Sequence, residues 1–167
     1  MTKPMAIRKP PEDGAELTAA ISGSFKFKPE IDEACEQFRD YGVVVIAPDA
    51  GWLYLPRYQL HLPHAEDFRP LPTERHMSPG QVEDTFLEKV READFLYLFN
   101  RDGYVGISAS LELGFALGLR KPIYSLEPLN LDAMEIEDIG MMILLERSVR
   151  VKSIAEAAQD FREQYSQ

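Results

Sequence analysis

The feature that most narrows the fold is a short run, Val43–Ala47 (V-V-V-I-A), apolar at every position. A strand with one wet face alternates apolar and polar residues. An unbroken apolar run instead fits a strand buried on both faces, as in parallel sheets covered by helices. The flanking chain keeps that rhythm. Leu17–Ser24 (L-T-A-A-I-S-G-S) reads as a buried strand ending in a small-residue turn. Pro29 opens a helix through about Tyr41, with Ile31, Ala34, Cys35 and Phe38 at helical spacing, and Gly42 closes it. Ser78-Pro79-Gly80-Gln81 carries the Ser cap, early Pro and capping-box Gln of a second helix. That helix runs to about Glu92, with Val82, Phe86 and Val90 on its apolar face. Ala93–Phe99 is a third strand, Ile107–Leu119 a helix and Pro122–Leu126 a fourth strand. Asn130–Gly140 is an acidic linker whose Glu135–Asp138 run forms a solvated face. Met141–Leu145 (M-M-I-L-L) reads as a fifth strand, and Ser153–Tyr165 as a last amphipathic helix with Ile154, Ala157, Ala158 and Phe161 inward.

Strands alternating with helices imply an α/β three-layer sandwich with right-handed crossovers. The expected form is a flavodoxin-like, five-stranded parallel sheet in the order 2-1-3-4-5, in one domain over residues 15–167. Residues 1–14, rich in Pro and charge, read as a loose leader. Residues 48–78 break the rhythm and hold Trp52, Tyr54, Tyr58, Phe68 and all three histidines. Connections beyond about 15 residues are usually functional or disordered. The aromatic content here favours an ordered flap.

Composition removes several classes of function. A net charge of −10 on 167 residues provides no basic face for a nucleic-acid polymer, although it leaves room for a local pocket for one phosphate. A single cysteine, Cys35, rules out an intramolecular disulfide and suggests a reducing compartment; its position on the inward face of the first helix makes it a small core residue. No apolar run reaches membrane-spanning length, and the N-terminus lacks the apolar core of a signal peptide. A cytoplasmic, soluble protein without membrane partners is the expectation. His61, His64 and His76 have neither a cysteine pair nor a regular helix beside them, so no metal site is expected.

In a 2-1-3-4-5 sheet the chain reverses direction between strands 1 and 3, and ligands bind outside their carboxyl ends. Two turns meet there: Ser22-Gly23-Ser24-Phe25 and Asn100–Gly106. They are the turns richest in Gly, Ser, Asn and Asp. The second leads into a helix whose opening amides and dipole suit an anion. Neither a G-x-G-x-x-G fingerprint nor a G-x-x-x-x-G-K-[ST] loop is present, so a single phosphate or a hydroxylated sugar fits better than a dinucleotide or triphosphate. Glu112 is the only charge in Ile107–Leu119, and it lies one turn after Ser108. An ionised carboxylate is seldom buried unpaired, so Glu112 is a candidate nucleophile or base, or else one half of a buried or interface ion pair. Asp94 and Asp102 are the candidate second carboxylates. Two carboxyl groups roughly 5–5.5 Å apart serve a retaining glycosyl transfer. Asp94 reads equally as a helix–strand junction residue, and Asp102 as an ordinary turn residue. Tyr104 either stacks on a base or packs at an interface, and Arg101 is the cation nearest the turn.

The segment S-x-S-L-E-L-G-F-A-L-G-L-R-K-P, following A-D-F-L-Y-L-F-N-x-D, resembles the nucleoside 2-deoxyribosyltransferase family and related nucleotide N-glycosidases. The resemblance spans about Leu17 to Leu126 and is specific around Glu112. It implies that Glu112 is the nucleophile and that Asp94 matches the family's aspartate at the head of the preceding strand. It implies that S-G-S-F-K-F is the first substrate loop, in which Phe25 or Phe27 packs on the base. Asp49 and Trp52 would reach the base if the flap folds over the site. Family transferases often place an acid six positions before the nucleophile; here that position is Gly106 and the nearest acid is Asp102. Ser108 and Ser110 look more like the phosphate-holding pattern of the monophosphate hydrolases. Family members are dimers or larger.

The expected function is therefore cleavage or exchange of the N-glycosidic bond of a (deoxy)nucleoside or its 5′-monophosphate. Glu112, Asp94 and Asp102 are the expected catalytic residues. Ser22, Gly23, Ser24, Phe25, Asp49, Trp52, Asn100, Gly106, Ser108 and Ser110 are the expected substrate-binding residues. No cofactor is expected, and a homodimer or larger homo-oligomer is. The alternative is a non-catalytic nucleotide-sensing module on the same fold; a flavin carrier is a weaker third.

Overall fold

The computed structural model describes residues 16–47, 79–136 and 138–165. The leader expected over residues 1–14 and the flap expected over 48–78 lie outside the described residues, and with the flap go Asp49, Trp52 and the three histidines. Five strands form one parallel sheet in the order β2-β1-β3-β4-β5. They are β1 (Leu17–Gly23), β2 (Val43–Ile46), β3 (Phe95–Phe99), β4 (Ile123–Ser125) and β5 (Val149–Val151). The helices are α1 (Lys28–Asp40), α2 (Pro79–Glu92), α3 (Ile107–Gly118), α4 (Ile139–Ser148) and α5 (Ile154–Tyr165). The arrangement is a flavodoxin-like three-layer sandwich.

Strand alternation explains how the layers form. Successive side chains of a strand leave opposite faces. In β3, Phe95, Tyr97 and Phe99 meet Ile31, Cys35 and Phe38 of α1 and Ala157 and Phe161 of α5, whereas Leu96 and Leu98 join a second core. That second core holds Phe86 and Val90 of α2, Ala109, Leu113 and Ala116 of α3, and Leu145 of α4. Every residue of β3 is buried, as a central strand apolar on both faces requires. Within β1, Ala19 and Ile21 face α1 while Ala20 faces the second core. The same alternation sends Ser22 toward α3.

One element differs from the sequence reading. Met141–Leu145 is not the fifth strand but the middle of α4, and the strand paired with β4 is the three-residue segment Val149–Val151. Asp138 caps that helix by accepting a hydrogen bond from the Met141 amide at 2.7 Å, and Met and Leu are good helix formers. A five-residue apolar run has the same pattern in a strand and in a helix segment. What separates them here is the cap before the run and the β-branched pair Val149 and Val151 after it.

Candidate active site

The carboxyl ends of β1 and β3 lie side by side, with Ser22 opposite Leu98 and Gly23 opposite Phe99. Gly23 is there because nothing larger fits. A Cβ at this position would sit 2.9 Å from Ile31 Cδ1 and 3.0 Å from the Phe99 carbonyl oxygen. After it the chain turns through a short 3-10 segment, Phe25–Phe27, closed by the Phe27 amide donating to the Ser24 carbonyl at 2.9 Å. The turn after β3 passes close by, since a Cβ at Gly106 would lie 3.9 Å from Ser24 Cβ and 3.7 Å from Tyr104 Cε1. Phe27 packs edge-on to Tyr104 at 6.3 Å, and the Lys26 ammonium lies 3.1 Å from the centre of the Tyr104 ring. The two turns expected to meet are in contact.

Gly106 caps α3 without a side-chain hydrogen bond, so the first amides of that helix have no intrahelical partner. Ser108 is exposed on this first turn. Ser110 is half-buried, and its hydroxyl donates back to the Gly106 carbonyl at 3.0 Å. One turn further in, the inward stripe of α3 is Ala109, Glu112, Leu113 and Ala116. Glu112 is 6% exposed, and its Oε2 accepts a hydrogen bond from the fully buried Ser22 hydroxyl, across ninety positions of sequence. Burial raises its pKa from the ordinary 4.5, the Ser22 hydrogen bond lowers it, and the charge of Glu83 raises it again; the result is about 7. A carboxyl group poised there can exist as carboxylate or acid near neutral pH, as nucleophiles and acid–base groups require.

The other expected residues separate into distinct places. Asp94 accepts a hydrogen bond from the Thr18 amide at 2.8 Å, at the amino ends of β1 and β3. Ser22 lies four residue steps along β1 from Thr18, about 13 Å along the sheet. Asp94 ties two strand starts together and is not brought to Glu112. Asp102 is an exposed turn residue with φ of 57°, in the left-handed region. It faces an open cavity of about 520 Å³ shared with Asn130, Asp132, Met142 and Glu146, whose lining includes neither Ser22 nor Glu112. Asn100 is buried. Its amide nitrogen donates to the Glu127 carbonyl at 2.7 Å and its oxygen accepts from the Glu127 amide at 3.0 Å, so it locks the turn after β3 to the turn after β4. Arg101 pairs with Glu30 at 3.4 Å.

Two residues near the site escaped the sequence reading. Glu83 is half-buried on α2, and its pKa is also raised by burial. Its signal was present: Glu83, Phe86 and Val90 share i, i+3, i+7 spacing, which places a carboxylate on an apolar stripe. Lys26 is the cation beside the crevice, carried by the same S-G-S-F-K-F turn that was singled out for its small residues.

Among the described residues no group of three or more metal-ligating side chains is positioned to hold a metal ion, and no helix is long and apolar enough to cross a membrane. No protein-family model matches the chain, and no curated protein does either. A solved structure described as a conserved protein from Enterococcus faecalis V583 is similar in fold, with a TM-score of 0.56 at 13% identity over 90% of this chain and 99% of that one. At that identity the likeness concerns the fold alone.

Proposed function

We propose that this protein is an enzyme that cleaves or exchanges the N-glycosidic bond of a (deoxy)nucleoside or nucleoside 5′-monophosphate. The observation that carries the reading is the buried Glu112 carboxyl group, held by the Ser22 hydroxyl at the carboxyl ends of the two central strands. Its carboxylate attacks the anomeric carbon, the bond to the base breaks, and a glycosyl-enzyme ester forms. Water then gives hydrolysis, or a second base gives transfer. Ser22 orients the carboxylate and steadies its charge. Phe27 and Tyr104 offer aromatic faces at the mouth of the crevice. The unbonded first amides of α3, with Ser108 and Lys26 nearby, suit a sugar hydroxyl or a 5′-phosphate. Asp94 and Asn100 act as struts of the fold in this account.

The enzyme works as a homodimer or larger homo-oligomer in this proposal. The outer face of α3 supports it, because Ile107 and Leu111 are 85% and 70% exposed and continue into the exposed Gly114 and Gly118 at helical spacing. A stripe of this kind fits a second helix better than water. Chromatography of incubations with deoxynucleosides, ribonucleosides and their monophosphates, with and without a free acceptor base, tests the activity. Release or exchange of base by the wild type and its loss in Glu112→Gln are expected. A wild-type oligomer that consumes no member of the panel defeats the catalytic reading, and ligand binding without turnover then supports a sensing module.

A further inference from the structure

The open cavity that Asp102 faces continues into a smaller chamber under α4. Successive strand residues leave opposite faces, so the alternation that sends Ile123 of β4 into the second core sends Ser125 to the same side. Ser125 pairs with Val151 in the β4–β5 ladder, and both line the chamber with Leu145 of α4 and Val149 of β5. Its volume is about 210 Å³. Leu129, Leu131 and Glu146 line both the chamber and the open cavity of about 520 Å³, so the two are continuous. The open part carries four acidic side chains, Asp102, Glu127, Asp132 and Glu146, and no Lys, Arg or His. Among the described residues none of these four carboxylates has an ion-pair or hydrogen-bond partner. Ser125 is fully buried; its hydroxyl donates to the Glu127 carbonyl at 2.9 Å, and among the described residues no group donates to its oxygen.

Four uncompensated negative charges around one hollow repel one another and draw a cation. A bare metal ion does not fit, because it needs converging ligands and among the described residues no three acidic side chains are so placed. The chamber beside them narrows the choice. An apolar cavity of about 150 Å³ stays dry and takes a benzene-sized guest, so a chamber of about 210 Å³ walled by Leu and Val has room for one ring or a short alkyl chain. We infer that this two-part cavity is a binding site for a small organic cation, a primary amine carried on an aromatic ring or a short alkyl chain. The apolar body fills the chamber between Leu129, Leu131, Leu145 and Val149. The ammonium sits at the seam and donates to Glu146, the acid that lines both parts, while the Ser125 oxygen is the acceptor for a further N–H. Asp102, Glu127 and Asp132 hold the mouth negative and raise the local concentration of cations. The inference is independent of the glycosidic reading, since neither part of the cavity is lined by Ser22 or Glu112.

The probe is phenethylammonium, titrated into the full chain labelled at its Leu and Val methyl groups and followed by NMR. Saturable shifts at Leu129, Leu131, Leu145 and Val149 are expected, with a Kd of about 0.1–1 mM for a ligand of this size. Analogues separate the charge from the body. Phenethyl alcohol keeps the body without the charge and should bind about three- to tenfold more weakly. Phenylpropanoate reverses the charge and ethylammonium lacks the body, and neither should saturate. Glu146 is exposed, so replacing it spares the fold. Glu146→Gln should weaken the amine to the level of the alcohol and leave the alcohol unaffected. Glu146→Lys, which brings its own ammonium to the seam, should abolish binding of the amine. No saturable shift up to about 10 mM, equal affinity for amine and alcohol, shifts confined to other residues, or a Glu146→Gln that binds the amine as wild type does overturns the assignment.

Discussion

Replacing Glu112 by Gln has a consequence for stability that is independent of any substrate. The Glu112 pKa rises from 4.5 to about 7 on folding, chiefly through burial. Between those values the folded protein holds a proton that the unfolded chain has released, so stability falls as pH rises through this window and levels off above about pH 7. At about 1.4 kcal/mol per pH unit the full effect is on the order of 3 kcal/mol, most of which falls between pH 5 and pH 8.5. A glutamine keeps an oxygen to accept from Ser22 but never ionises, so Glu112→Gln loses this pH dependence. Urea denaturation of wild type and variant at the two pH values measures it. Any fixed change in packing cancels in the comparison, and the variant is expected to gain about 2–3 kcal/mol on wild type between pH 5 and pH 8.5. A gain below about 0.5 kcal/mol would refute the claim that folding buries an ionisable group at this position.

Ser22→Ala removes the hydrogen bond that favours the Glu112 carboxylate, so the rising limb of the pH–rate profile should move to higher pH and kcat should fall about tenfold; an unmoved limb speaks against the contact. Asp94→Ala loses the bond to the Thr18 amide and should cost about 1–3 kcal/mol of stability, with kcat per folded molecule unchanged; a specific loss of kcat would return Asp94 to the site. Gly23→Ala forces a methyl group against Ile31 and the Phe99 carbonyl, and thermal unfolding should register a loss of about 1–3 kcal/mol. Leu111→Glu places charge on the exposed stripe of α3; light scattering should show a smaller oligomer than wild type, and an unchanged mass excludes that face as the interface.

Phe95–Phe99 carries no alternation and is buried at every position, as a central strand requires, whereas the equally apolar Val43–Ile46, expected to be buried on both faces, is the edge strand and leaves Val44 exposed. The meeting of the turns Ser22–Phe25 and Asn100–Gly106 followed from the sheet order, since the chain reverses between β1 and β3, whereas the hydrogen bond from Ser22 to Glu112 shows only in the structure. The run Met141–Leu145 misled because five apolar residues carry no period of their own, and the deciding hydrogen bond comes from Asp138 outside the run. Asp94 misled for a different reason. A residue at the head of a strand is at the amino edge of a parallel sheet, the full strand length from the carboxyl-edge crevice, and a local motif does not display that distance. Glu83 was missed because its position on the α2 stripe mattered only once α3 was known to pack there.

The proposed mechanism passes through a covalent bond between Glu112 and a sugar. Incubation with a 2-deoxy-2-fluoro-arabinosyl nucleoside, offered with and without a 5′-phosphate, slows breakdown of such an ester enough for intact-mass and peptide-level mass spectrometry. Wild type should gain the mass of one fluorinated glycosyl unit, located on the peptide that contains Glu112 and absent from Glu112→Gln. Release of base by the wild type with no adduct, or with an adduct at another residue, would contradict it.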